Sequence, residues 1–141
     1  MGSTDNNPLP DPRDKRPVIL IVEDEALIRM ILTDYLEECG FQVLEASDAA
    51  TAIAHIVDRT VKIDLVFSDV RMPGEMDGVG LANWIKQNHP GLPIFLASAE
   101  AKKLELAHEL CGNEQFFAKP YDIKIVVEHI RRILTAHGAA H

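Results

Sequence analysis

The feature that most constrains the fold is a regular alternation of short apolar runs with helical patterns. The apolar runs cover residues 17–22, 41–46, 63–69, 92–98 and 114–120. Their length and composition are typical of strands that are buried on both faces of a sheet. Each run is followed by apolar residues at helical spacing. Five strand–helix units of this kind predict an α/β domain, with a parallel sheet, right-handed crossovers and helices on both faces.

The helices are predicted from apolar residues that recur on one side of each segment. In the first helix this stripe comprises Ile28, Ile31, Leu32, Tyr35 and Cys39. Gly40 supplies the left-handed residue that ends this helix, and Ser47 or Asp48 caps the next one. The other stripes are Ala49, Ala52, Ile53, Ile56 and Val57; Leu81, Trp84 and Ile85; Leu104, Ala107 and Leu110; and Ile123, Val126, Val127, Ile130, Ile133 and Leu134.

The length of 141 residues suits one domain. Residues 1–16 are polar and proline-rich and are expected to form a flexible tail, followed by a folded domain over 17–138 and a frayed end at 139–141. No run approaches the roughly 18 apolar residues of a membrane span, and the N-terminus lacks the apolar segment of a secretory signal. These features predict a cytoplasmic protein without a membrane partner. Whether it acts alone or within a larger regulator is left open.

The charge of the chain bears on its partners. The net charge is −8, and the first seventeen residues sum to zero, so the folded part carries the whole excess. An acidic domain without a basic stripe is poorly suited to phosphate backbones. Direct nucleic-acid binding is therefore not expected.

Polar residues stand at or just beyond the ends of four of the predicted strands. Glu23 and Asp24 follow the first strand, Asp69 and Ser98 end the third and fourth, and Lys119 lies in the fifth apolar run. Taken singly, such residues are ordinary turn formers, helix caps or solvated charges. In a parallel sheet, however, ligands bind outside the carboxyl ends of the strands. If these ends are neighbours, three carboxylates, a hydroxyl and an ammonium group share one pocket.

This combination indicates phosphoryl transfer. Three neighbouring carboxylates repel one another without a cation, and oxygen-rich acidic clusters bind Mg²⁺, which also takes phosphate oxygens. The hydroxyl and the ammonium group suit the remaining phosphoryl oxygens. No glycine-rich G-x-G-x-x-G turn follows the first strand, which argues against dinucleotide binding.

From about Pro17 to His137 the chain resembles the receiver domains of two-component response regulators. Four separated motifs in order carry the resemblance: VEDE (22–25), SDVRMPGEMDG (68–78), LASAE (96–100) and FFAKP (116–120). The resemblance implies a doubly wound, flavodoxin-like (βα)5 fold with a five-stranded parallel sheet. The strand order 2-1-3-4-5 comes from this class of fold and not from the residues.

The resemblance also implies roles at the acidic end of the site. Asp69 would be the phosphoacceptor, attacking phosphorus as a carboxylate nucleophile. Asp24 and Asp69 would ligate Mg²⁺, Glu23 would act through a bound water, and Arg71 would lend its main-chain carbonyl.

Further roles follow for the remaining motif residues. Lys119 would pair with Asp69 and then with a phosphoryl oxygen, and it would precede Pro120 through a cis peptide bond. Ser98 would move towards the phosphoryl group, and Phe116 would rotate inward behind it. Serine and phenylalanine replace the family's frequent threonine and tyrosine at these two positions, and the loop after Pro73 is one residue longer than the commonest form.

Two further positions are expected to tune the site. Arg71 and Glu100 stand two residues beyond Asp69 and Ser98, at positions that line the mouth of the site in the family. Their opposite charges could pair across the opening and hinder hydrolytic water. Two independently solvated side chains are the alternative.

The predicted function is a phosphorelay receiver. It would accept a phosphoryl group from a histidine kinase or a histidine phosphotransfer protein and switch a surface at about 101–136 that an unknown downstream protein reads. It would be a self-phosphorylating and autodephosphorylating switch and not a turnover enzyme, and homodimer formation is left open. An interaction module that is never phosphorylated is the alternative. A second alternative is a phosphatase that forms an aspartyl-phosphate intermediate. Such enzymes commonly need a second acid two residues after the nucleophile, and this chain has Arg71 there.

Overall fold

The sheet has five parallel strands. In the computed structural model, which describes residues 9–11, 13–100 and 115–136, the strand order is β2-β1-β3-β4-β5. This confirms both the predicted fold class and the strand order. The strands are β1 (Val18–Val22), β2 (Gln42–Ala46), β3 (Leu65–Asp69), β4 (Ile94–Ser98) and β5 (Phe116–Ala118).

Four helices lie within the described residues. They are α1 (Ala26–Glu38), α2 (Ala49–Val57), α3 (Gly78–Asn88) and α4 (Ile123–Ala136). The helix predicted around Leu104, Ala107 and Leu110 lies outside the described part of the chain. None of the helices described is both long enough and apolar enough to cross a bilayer.

The sheet separates two apolar cores because successive side chains of a strand point to opposite faces. On one face, Val18, Leu20 and Val22 of β1 pack with residues of α2 and α3. On the other face, Ile19 and Ile21 pack with residues of α1 and α4. This burial on both faces explains why the strands read as continuous apolar runs in the sequence.

The helix ends follow local rules. Gly40, directly after α1, has a φ of 97°, as the prediction of a left-handed stop requires. Asp48 caps α2, and its side chain accepts a hydrogen bond of 2.8 Å from the Thr51 amide. Of the two candidates for this cap, Asp48 is the one that the structure selects.

The predicted buried stripe of α1 is wrong at one residue, Ile31. Ile31 is 59% exposed, as are large parts of Leu27 and Met30, whereas Leu32 and Thr33 are buried. The buried face of α1 therefore includes Leu32, Thr33 and Leu36 and leaves out Ile31. An apolar patch at i, i+3 and i+4 remains open to solvent on this helix.

The segment before β1 contacts the amino-terminal end of the sheet. The Gln42 side chain donates a hydrogen bond of 2.9 Å to the Arg16 carbonyl, and its oxygen accepts a longer one of 3.4 Å from the Asp11 amide. Asp64 accepts a hydrogen bond of 2.8 Å from the Val18 amide. These contacts lie at the end of the sheet opposite to the carboxyl ends of the strands.

The core packing predicts a contrast between two isoleucines of α4. Ile130 is fully buried and Ile125 is 49% exposed. We expect Ile130→Ala to lower the free energy of unfolding by about 2 to 5 kcal/mol, because it leaves a cavity. The matched variant Ile125→Ala should change it by less than about 1 kcal/mol. Urea denaturation measures both, and equal losses would contradict this assignment of the core.

Candidate functional site

The carboxyl ends of the central strands lie side by side. Val22 pairs with Ser68 in the register of β1 and β3, so Glu23 and Asp24 emerge beside Asp69. The register of β3 and β4 pairs Asp69 with Ala97. Ser98 is the next residue of β4, and the Lys119 amide donates to its carbonyl at 3.0 Å. The strand-end residues singled out in the sequence therefore share one edge of the sheet.

Three carboxylates form a compact cluster at this edge. Glu23, Asp24 and Asp69 each offer an oxygen, and these oxygens all lie within 4.8 Å of one another. Glu23 is buried, Asp69 is partly buried and Asp24 is exposed. The cluster thus faces solvent on the side of Asp24 and has Glu23 behind it.

Glu23 is the most confined of these acids. Its Oε2 accepts a hydrogen bond of 3.0 Å from the Glu25 amide. Burial is the main cause that raises the pKa of Glu23 to about 7; the hydrogen bond from the Glu25 amide opposes the rise, and the nearby negative charge of Asp69 adds to it. A cation at the cluster would oppose this rise because it favours the ionised carboxylate.

Lys119 supplies a positive charge beside the cluster. Its Nζ lies 3.0 Å from Asp69 Oδ2, and the two side chains are 30% and 10% exposed. The peptide bond between Lys119 and Pro120 is cis, as the resemblance implied. The other carboxylate oxygen of Asp69, Oδ1, takes no part in this contact.

A pocket of about 560 Å³ opens above Asp69. Arg71 and Glu100 both lie on its lining and are exposed. Among the ion pairs of the described residues there is none between these two side chains. The pocket is lined by Asp24, Glu25, Asp69, Arg71, Met72, Pro73, Ser98, Ala99, Glu100 and Lys119.

The two expected switch residues lie at different depths. Ser98 is buried, and its Oγ accepts a hydrogen bond of 2.9 Å from the Glu100 amide. Because the oxygen is the acceptor, the hydroxyl proton is left available to a partner in the pocket. Phe116 is partly buried and packs against the core that β1 shares with α2 and α3.

Gly78 is a site residue that the sequence reasoning missed. Its amide donates a hydrogen bond of 2.7 Å to the Val70 carbonyl. A Cβ at Gly78 would collide with the Asp69 carbonyl oxygen and lie 2.7 Å from Val70 Cα. The start of α3 therefore rests directly on the main chain of Asp69. The only sequence signal was a glycine after Asp77, which caps α3.

Arg29 and Tyr121 were also missed. Arg29 Nη1 donates to the Glu23 carbonyl at 2.7 Å, and Arg29 Nε lies 3.0 Å from Glu45 Oε1. The Tyr121 ring packs edge-on against Phe67, with centroids 5.7 Å apart. Burial, with a further contribution from the charges of Glu23 and Asp69, raises the pKa of Tyr121 to about 12. Neither residue belonged to a recognisable strand-end pattern.

The donor set fits a hard divalent cation. The cluster consists of carboxylate oxygens alone, with no thiolate or imidazole among its members. Mg²⁺ and Ca²⁺ prefer oxygen ligands, and Mg²⁺ in particular is bound by one or two carboxylates, water and phosphate oxygens. The residues present therefore suit a hard divalent cation such as Mg²⁺.

The sequence matches the profile of the response regulator receiver domain over residues 19–131. It is 35% identical over 118 residues to the chemotaxis protein CheY of Bacillus subtilis, covering 82% of this chain and 96% of CheY. It is 33% identical over 123 residues to the phosphate regulon transcriptional regulatory protein PhoB of Pseudomonas aeruginosa, covering 85% of this chain. The chain spans about half of PhoB, at 52%, and 25% of the DNA-binding transcriptional regulator NtrC of Escherichia coli.

Solved structures show the same architecture. The signal receiver domain of an HD domain-containing protein from Pseudomonas fluorescens superposes with a TM-score of 0.79 at 25% identity, over 88% of this chain and 98% of that one. The response regulator protein TrrA from Thermotoga maritima, in complex with Mg²⁺ and BeF, superposes with a TM-score of 0.72 at 25% identity. That match covers 84% of this chain and 99% of TrrA.

The close approach at Gly78 predicts that this position tolerates no side chain. In Gly78→Ala the added methyl group meets main-chain atoms, which cannot rotate away, so we expect a loss of about 1 to 3 kcal/mol in the free energy of unfolding. Gly91→Ala is the matched control, because a Cβ there meets nothing within 4 Å. Urea denaturation compares the two, and equal stability of both variants would contradict the close contact.

Proposed function

Because the chain belongs to the response regulator receiver domain family, whose members are phosphorylation-based switches, we propose that it accepts a phosphoryl group on Asp69 in a Mg²⁺-dependent reaction. The observation that carries the proposal is the 3.0 Å contact of Lys119 with Asp69, beside three carboxylates whose oxygens lie within 4.8 Å of one another. Residues 17–138 would form the receiver domain.

The metal would be held by Asp24 and Asp69, with Glu23 acting through a water and Arg71 contributing its main-chain carbonyl. The all-oxygen donor set supports this assignment. Further support comes from the similar protein TrrA, which was solved in complex with Mg²⁺ and BeF. When bound, the ion would neutralise negative charge on the carboxylates and on the phosphoryl oxygens.

Asp69 would act as the nucleophile. One carboxylate oxygen attacks phosphorus, forming an oxygen–phosphorus bond while the bond between phosphorus and the donor nitrogen of a phosphohistidine breaks. The electron pair of the broken bond stays on that nitrogen. Lys119, which is 3.0 Å from Asp69 Oδ2, is close enough to transfer its hydrogen bond to a phosphoryl oxygen. Positioning and charge neutralisation account for most of the catalysis in such transfers.

Ser98 and Phe116 would change position when Asp69 is phosphorylated. The Ser98 hydroxyl, whose oxygen already accepts from the Glu100 amide at 2.9 Å, can donate its proton to a phosphoryl oxygen. Phe116, which is partly buried, would then move inward. The change would shift a pre-existing equilibrium at the surface formed by residues 101–136, of which 101–114 lie outside the described residues.

A histidine kinase or a histidine phosphotransfer protein is the proposed phosphodonor. The exposed apolar residues Leu27, Met30 and Ile31 of α1 support docking of such a protein. They begin two residues after Glu25, which lines the pocket. A partner helix packed against this patch would bring a histidine side chain to the pocket mouth. The downstream protein would read residues 101–136.

The phosphoacceptor is tested by intact mass spectrometry after incubation with MgCl2 and acetyl phosphate. Wild type should gain one phosphoryl adduct, and Asp69→Asn should gain none. Prior chelation of the metal should abolish the adduct. Asp58→Asn is the matched control, because Asp58 is an exposed aspartate at the opposite end of the sheet whose side chain accepts hydrogen bonds from Thr60 in its own turn, and it should keep the adduct. Absence of the adduct on wild type, with several donors and kinases, would favour a phosphorylation-independent interaction module.

Arg71 is proposed to slow the loss of the phosphoryl group by covering the pocket mouth. Arg71→Ala should therefore speed dephosphorylation, by up to about fivefold if the side chain contributes about 1 kcal/mol. The decay of the phosphorylated protein, followed by mass after removal of the donor, measures this rate. Arg59→Ala, at the opposite end of the sheet, should decay as wild type does. An unchanged or slower decay of Arg71→Ala would reject the role.

A further inference from the structure

Three hydrogen bonds hold the main chain at Glu23 and Glu25, on either side of Asp24. The Glu23 amide donates to the Ala46 carbonyl of β2 at 3.0 Å. The Glu25 amide donates to Glu23 Oε2 at 3.0 Å. The third bond, from Arg29 Nη1 to the Glu23 carbonyl, is the shortest at 2.7 Å, and it comes from a side chain on α1.

Arg29 is itself fixed at a second point. Its Nε lies 3.0 Å from Glu45 Oε1, and the two side chains are only 20% and 21% exposed. The Glu45 carbonyl lies in turn 3.2 Å from His55 Nε2 of α2. A guanidinium group offers several donors in a rigid plane, so it can hold a carbonyl and a carboxylate at once. Arg29 thereby links α1 and β2 to the end of β1.

The bond to the Glu23 carbonyl constrains Asp24 for a covalent reason. The carbonyl of Glu23 and the nitrogen of Asp24 belong to one planar peptide unit. Fixing the direction of that carbonyl therefore fixes the plane from which Asp24 Cα and its side chain extend. Asp24 lines the pocket in this arrangement, with an oxygen within 4.8 Å of those of Glu23 and Asp69.

We infer that Arg29 is a positioning residue for the metal site, which holds the Glu23–Asp24 peptide so that the Asp24 carboxylate faces the pocket. The inference rests on the proposed Mg²⁺-dependent phosphorylation of Asp69. Arg29 touches neither the metal nor the phosphoryl group in this assignment. It acts through the main chain of the residue that precedes a ligand.

The test compares Arg29→Ala with Arg131→Ala. Arg131 is a matched control, because it also donates to a main-chain carbonyl, that of Cys39 at 2.8 Å, at the far end of α1. MgCl2 titrations of the wild type and both variants, followed by the amide resonances of residues 23–25 and 69, give the dissociation constants. Partners that orient metal ligands typically contribute 10- to 100-fold in affinity, so Arg29→Ala should bind Mg²⁺ at least about tenfold more weakly. Arg131→Ala should bind as wild type does.

A second readout needs no metal. Amide hydrogen exchange at Glu25, whose amide donates to Glu23 Oε2, should be faster in the metal-free Arg29→Ala protein than in Arg131→Ala, because the Glu23–Asp24 peptide is then free to rotate. Arg29→Lys keeps the charge but loses the planar fork, and it should lie between Arg29→Ala and wild type in both measurements. It also serves as the test variant if Arg29→Ala does not fold.

The outcomes separate this inference from the proposed function. If the wild type binds Mg²⁺ and both Arg29 variants match it in affinity and in exchange, the positioning role is overturned and the proposed function stands. If the wild type itself shows no Mg²⁺-dependent shifts at residues 23–25 and 69, the proposed metal-dependent function fails, and this role fails with it.

Discussion

Three carboxylates at the carboxyl ends of two neighbouring strands repel one another, and the rest of the site is arranged around that repulsion. Glu23, Asp24 and Asp69 bring oxygens within 4.8 Å of one another. The rise in the pKa of Glu23 to about 7 reflects how poorly a buried position beside Asp69 tolerates another negative charge. Lys119, 3.0 Å from Asp69, offsets part of this charge, and the proposed magnesium ion would offset the remainder.

The fold holds these acids together against their repulsion. The parallel sheet aligns the ends of β1, β3 and β4 at one edge, and the two apolar cores clamp the sheet between helices. Gly78 lets α3 rest on the main chain of Asp69, while Arg29 ties the Glu23 carbonyl to α1. Because these segments are anchored through their main chains, the Asp24 and Asp69 side chains remain on the pocket lining.

Much of the site could be read from the sequence because strand ends have a simple geometry. Asp69 and Ser98 directly terminate apolar runs, and the carboxyl ends of neighbouring parallel strands share an edge. The periodicity of apolar residues was less informative about which residues at the edge of a helix face are buried. Ile31 was assigned to the buried stripe of α1 but is 59% exposed, because a helical pattern predicts an apolar face without specifying which margin of that face meets the sheet. The strand order came from the family resemblance and not from periodicity.

The sequence by itself determined the alternation of strands with helices and the carboxylate, hydroxyl and ammonium groups at the strand ends, because these depend on local spacing and residue type. Only the tertiary structure decided which distant groups hold them in place. The approach of Gly78 to Asp69, the bridge of Arg29 between Glu23 and Glu45 and the packing of Tyr121 on Phe67 each depend on how closely two separate elements approach. That distance is set by the packing of the whole core, and no local pattern encodes it.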